Sequence, residues 1–200
     1  MPSESFNENI QRIRLMEGSD HEMYDAIRNA RDACESKEDL QLLHDTLDDI
    51  LPFICETDDK RLNRLASLYR TMTSHDIAMR TLLEEHQNDL SGVELQNDSG
   101  TQYAVFMPDA TESGRFRYSI FNEGGFYGHT TRDSYEELVK DAFQCGFRHK
   151  TQGHLERCFM LDSFHEGNEF ANKVMRVNAG EPWDDVFVTS KSSHSQDMSL

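Results

Sequence analysis

Four side chains in the stretch "FNEGGFYGHTTRDS" could do acid–base or nucleophilic chemistry: Glu123, Tyr127, His129 and Thr130. A carboxylate and an imidazole on the two arms of a hairpin can approach across it, and a desolvated cleft would let such a pair move protons near neutral pH. The glycines beside them raise a second chemistry. A phosphate-cradling loop needs Lys followed by Ser or Thr where its helix starts. Here Gly124, Gly125 and Gly128 lead instead into Arg132, Asp133 and Ser134. Gly124-Gly125 between two strand-like runs therefore predicts a hairpin turn with positive φ, and Gly128 a bulge or a close backbone approach.

Metal chemistry is the next candidate. Cys145, His149, His154 and Cys158 follow a C-x3-H-x4-H-x3-C spacing, and zinc takes tetrahedral sets of two thiolates and two imidazoles. His154 and Cys158 would share a helix face. Gly146, however, should end a helix between Cys145 and His149, and zinc sites pair their cysteines more closely. The competing expectation is two half-buried cysteines and two surface histidines, with no cofactor. No G-x-S-x-G, H-E-x-x-H or dinucleotide fingerprint occurs, and no motif specifies a reaction.

Charge is the third signal. The chain has 37 acids and 20 bases, a formal net charge of −17. Residues 1–98 hold 22 of those acids against 10 bases. A nucleic-acid binder needs a basic footprint, as does a protein that docks on anionic membranes, so both are disfavoured. Acid doublets at Asp48-Asp49, Asp58-Asp59 and Glu84-Glu85 could imitate phosphates and occupy a basic groove on a host protein; the alternative is a solvated acidic surface that serves solubility. Trp183, the single tryptophan, lies in "EPWDDVFVTS", which reads as a terminal strand completing a sheet or as a partner-binding segment with an apolar anchor.

The elements that must position these residues divide into two periods. Up to about Asn88 the pattern is helical. A helix is expected near Phe6–Met16. Ser19 with Glu22, and Ser36 with Asp39, have capping-box spacing. Pro52 should end or kink the second of those helices. Thr57 should cap a helix carrying Leu62, Leu65 and Leu68, and Ser74 a further one, for four or five antiparallel helices in all. "QNDSG" at 96–100 marks a boundary between an acidic helical domain over 1–95 and an α+β domain over 96–189. In the latter, "QYAVFMP" and "GRFRYSIFN" alternate as strands, and Asp133 or Ser134 caps a helix that Gly146 stops. Two shorter helices follow, near 154–161 and 164–177. The Ser-rich end, 190–200, is expected to be disordered. The predicted fold class is α+β: an antiparallel helical bundle, then a small antiparallel sheet packed with helices.

No basic-then-apolar leader and no apolar run of membrane-spanning length occurs, so a cytoplasmic protein with reduced cysteines is expected. Residues Tyr118–Gly180, with "YSIFNEGGFYGHTTRDSYEELVKDAFQCGFR" and then "LERC", "EGNEF" and "VNAG", resemble small accessory domains of plasmid and phage polyvalent proteins. The resemblance covers about a third of the chain and rests on strand–turn–helix spacing. It implies a mobile-element origin and a bacterial cytoplasm, and it transfers no active-site residue. The leading expectation is a non-enzymatic inhibitor of a host nucleic-acid-handling or defence protein with a basic surface. Alternatives are an enzyme acting on nucleotides or protein, and a zinc-stabilised accessory domain.

Overall fold

The computed structural model of the chain describes residues 4–16, 18–55 and 60–187. It divides into two compact units, Met1–Asp89 and Leu90–Leu200, and the fold class is α+β.

The first unit is helical: α1 (Glu4–Leu15), α2 (Asp20–Asp32), α3 (Lys37–Cys55) and α4 (Lys60–Glu85). Ser19 and Glu22 form the expected capping box, with the Ser19 amide donating to the Glu22 carboxylate at 2.7 Å. Ser36 and Asp39 exchange equivalent bonds at 3.0 and 3.1 Å. Lys37 pairs with Glu84 and Asp48 with Arg70, so α3 and α4 run antiparallel. Apolar residues at helical spacing, among them Phe6, Ile27, Leu43, Leu47 and Ala66, meet in one buried core.

Two expected helix ends do not occur. Pro52 lies one turn from the end of α3 and does not end it: the helix runs on to Cys55, giving up the one bond that an amide at position 52 would donate to the Asp48 carbonyl. Ser74 starts nothing: α4 is one helix of 26 residues, and no Gly or Pro interrupts it. The Thr73 hydroxyl turns back onto the carbonyls of Tyr69 and Arg70, satisfying itself within the helix. Thr57, the expected cap, lies outside the described residues.

The second unit is a five-stranded antiparallel sheet of order β4-β3-β2-β1-β5, built from β1 (Glu94–Asn97), β2 (Tyr103–Pro108), β3 (Phe116–Asn122), β4 (Gly125–Arg132) and β5 (Phe147–Thr151). The "QNDSG" segment is not a domain boundary. It ends β1 and turns into β2, with Asn97 Oδ1 accepting the amides of Thr101 and Gln102 at 3.0 and 3.1 Å. The units part instead between Asp89 and Leu90.

Helices cover both faces of the sheet. Along β3, Phe116 and Tyr118 point to α5 (Tyr135–Gln144), where the Phe116 and Tyr135 rings are 4.2 Å apart. Phe121 points the other way, into a cluster with Val105, Cys158 of α6 (His154–Cys158) and Phe164 of α7 (Asp162–Asn178). Ser134 caps α5 and accepts the Glu137 amide. Gly153 supplies no side-chain cap to α6, so the Glu94 carboxylate of β1 accepts the His154 and Leu155 amides at 2.8 and 3.3 Å. The last described element is a helix, α8 (Trp183–Phe187), rather than the strand that was one expectation for "EPWDDVFVTS". Pro182 before it and Asp184-Asp185 in its first turn suit a helix start.

Candidate functional site

The hairpin between β3 and β4 is the glycine turn the sequence predicts. Gly125 has φ +113°, a conformation that L side chains rarely adopt. The turn has a further role: it seats α7. A Cβ on Gly167 would stand 1.7 Å from the Gly124 carbonyl oxygen, so the helix backbone lies directly against the turn. Asn168 Oδ1 accepts the Phe126 amide at 2.8 Å, and the Ser163 hydroxyl donates to the Glu123 carbonyl at 2.8 Å.

The four acid–base candidates are not gathered. Glu123 is exposed in the turn. His129 pairs with Ser119, three residues along β3 from the Asn122–Gly125 pair that closes the hairpin, or roughly 10 Å away. Thr130 pairs with Tyr118, so its side chain lies on the α5 face and that of His129 on the opposite face. Tyr127 is left unmatched where Phe126 and Gly128 pair with successive residues of β3, making it the bulged residue beside Gly128. The expected approach of Glu123 and His129 across the hairpin is therefore absent, because the strand register sets them apart.

The sheet likewise divides the zinc candidates. Cys145 ends α5 and accepts a bond from the Tyr118 hydroxyl at 3.8 Å on one face. Cys158 is buried on the other face, and burial raises its thiol pKa, which opposes the thiolate a metal needs. His149 in β5 is exposed and lies 3.4 Å from Asp98. The His154 ring stacks on Tyr103 with centroids 4.1 Å apart, and its pKa is lowered, chiefly by burial. Among the described residues no group of three or more potential ligands converges.

The acid doublets are partly neutralised within the helical unit. Arg70 bonds both oxygens of Asp48 and holds its carboxyl below the ordinary range, while His44 lies 3.5 Å away. Glu84 accepts from Lys37 at 2.8 Å. Asp49 and Glu85 are exposed. Asp58 and Asp59 lie outside the described residues. Of the two described doublets, each thus has one member committed to an internal cation.

An exposed aromatic platform is what remains, and it includes Trp183. The Trp183 ring stacks on Phe187 at 4.2 Å, and Phe187 meets Phe170 of α7 at 5.9 Å. Val186 beneath them is buried, whereas Trp183 and Phe170 are 57% and 59% exposed. Residues 162–187 contain six acids and two bases. Both bases are already paired: Lys173 with Glu169 at 2.6 Å and Arg176 with Glu181 at 2.6 Å. Asp162, Glu166 and Asp184 make no ion pair among the described residues. Asp184 follows Trp183 directly and Glu166 precedes Phe170 by one turn of α7, so unpaired carboxylates adjoin the apolar surface. Sequence reasoning singled out Trp183 but missed Phe170, Gly167 and Asn168; the glycine within the helical stretch "HEGNEF" was the available signal for close packing.

Among the described residues no helix is long and apolar enough to cross a membrane. Comparison with protein-family models, with curated proteins and with solved structures found no match for the chain.

Proposed function

We propose that the protein is a non-enzymatic binding protein that docks the α7–α8 platform on a partner with a basic surface, of the kind that proteins use to hold nucleic acid, and thereby obstructs it. The exposed Trp183–Phe187–Phe170 trio, set among carboxylates whose neighbouring cations are already paired, carries this reading. Tryptophan is a frequent anchor at interfaces, and exposed acids steer encounter with a basic surface. The contact differs from the one the doublets of the helical unit imply, since Asp48 and Glu84 are engaged internally. Separation of Glu123 from His129, and of Thr130 onto the other face, favours binding over catalysis at the hairpin.

The test is capture of partners from a host lysate by the whole protein, repeated with competing DNA and with Trp183→Ala. Support requires a retained nucleic-acid-handling protein that DNA displaces and that Trp183→Ala loses by roughly tenfold or more. Retention that neither DNA nor the substitution changes would refute the platform as the contact.

A further inference from the structure

The helical unit carries a second exposed apolar surface of opposite character. Along α2, His21, Tyr24, Asp25 and Arg28 recur at i, i+3, i+4 and i+7. Along α4, Arg61, Arg64, Leu65 and Leu68 recur at the same intervals, followed by Tyr69. Each set is one stripe of its helix. The Arg31–Asp76 ion pair fixes the two helices side by side beyond them and in the same direction. The stripes bound an open groove of about 510 Å³. Each spans two helical turns, or roughly 11 Å.

The groove has an apolar floor and a basic rim. Tyr24, Tyr69, Leu65 and Leu68 form the floor, and Leu68 is 54% exposed although its position in the helical pattern predicts burial. Arg28, Arg61 and Arg64 stand on the rim. They are three of the ten Lys and Arg in residues 1–89 of a strongly acidic chain. Among the described residues the only acid lining the groove is Asp25, which is engaged with Arg28 at 2.8 Å. Arg64 forms no ion pair among the described residues.

We infer that this groove is a docking site for an acidic amphipathic helix of a partner protein. Two parallel stripes of helical spacing present ridges and a channel into which the apolar residues of a third helix interdigitate. Arg64 would pair with a Glu or Asp on that helix's flank, within a lining that carries three arginines against one acid, and arginine suits such a pair because its planar fork can bond both carboxylate oxygens. The overall negative charge of this chain does not prevent approach. At physiological salt, charges beyond about 8 Å are largely screened, so the local arginines decide the contact. The inference is independent of the α7–α8 platform.

The experiment measures binding of a fluorescent helical peptide of about 14 residues, roughly four turns, to the whole protein by anisotropy. The peptide has Leu at i, i+3, i+4 and i+7 and Glu elsewhere; a control carries Lys in place of every Glu. Binding of the Glu peptide, a failure of the Lys peptide, and a roughly tenfold loss for each of Arg64→Glu and Leu68→Glu are expected. Both substituted positions are exposed, and circular dichroism confirms that the variants fold. Arg64→Lys restores part of the affinity. Equal binding of the two peptides overturns the inference, as does indifference to both substitutions. Displacement of the peptide by millimolar inorganic phosphate would make this an anion site and not a helix site. Self-association that Arg64→Glu abolishes would make a second copy the occupant and likewise overturn it.

Discussion

In the helical unit exposed Leu68 and half-buried Tyr24, Leu65 and Tyr69 line a groove between α2 and α4 whose rim carries Arg28, Arg61 and Arg64. In the α+β unit exposed Trp183 and Phe170 stand with Phe187 on the α7–α8 platform. Both surfaces are built from amphipathic helices whose other side holds a core. What differs is where the ions pair. Around the platform the bases are taken by acids and acids are left over. In the helical unit, the more acidic by composition, Asp48, Asp76 and Glu84 are drawn into pairs with Arg70, Arg31 and Lys37, and at the groove Asp25 is drawn to Arg28 while Arg64 forms no ion pair among the described residues. Net charge therefore describes neither surface. The field a partner meets at contact comes from the few unpaired groups within a Debye length.

The comparison breaks most readily by emptying one core at a time. Phe164→Ala removes a fully buried ring that joins α7 to Phe126 and Phe121. A loss of about 3–5 kcal/mol is expected in the α+β unit, with loss of platform binding. Ile27→Ala, fully buried on α2, should cost the helical unit about 2–5 kcal/mol and weaken peptide binding in the groove. Chemical unfolding followed by near-ultraviolet signals, with both binding assays run on each variant, checks this crossed pattern. Loss of both activities in either variant would mean that the surfaces are not independently supported.

Gly167→Ala sharpens the claim that the hairpin seats α7. The added Cβ collides with a backbone oxygen, which cannot rotate away as a side chain would. A destabilisation of about 1–3 kcal/mol is expected, and lower affinity of the platform with the groove unaffected. An unchanged melting temperature would show that α7 does not lie against Gly124.

The smallest expected effect is a pH dependence confined to the α+β unit. Burial, reinforced by Arg157 and opposed by Glu94, lowers the His154 pKa below its ordinary value. The folded unit thus holds His154 neutral more firmly than the unfolded chain does. Its contribution is present above the unfolded pKa and is lost as pH falls from there through the depressed folded value. Stability should decline as pH falls below about 7, and His154→Gln should flatten that slope. A slope identical in the variant would place its origin in other groups.

Near neighbours in sequence were legible because their physics is local. Ser19 with Glu22, Ser36 with Asp39, and Ser134 before α5 cap helices through atoms three residues apart. Alternation marked β2 and β3, and paired glycines marked their hairpin with β4. The short strands β1 and β5 were not legible, since four or five residues give too little alternation and each needs its neighbour to complete the ladder. The Ser74 break failed for the opposite reason: a good cap residue has no effect inside a helix whose packing face continues past it.

What the sequence determined by itself was the class of fold, the helical and strand periods, the caps, and a strongly acidic chain with one tryptophan. Tertiary structure alone decided which charges cancel and which remain, that Glu94 caps α6 from 60 positions away, that the sheet keeps Cys145 from Cys158, and that two stripes some 40 residues apart close a groove. Local signals arise from hydrogen bonds and periodicity within one turn or strand, which neighbouring residues specify. A site is a meeting of distant side chains, and register and helix packing set which of them meet.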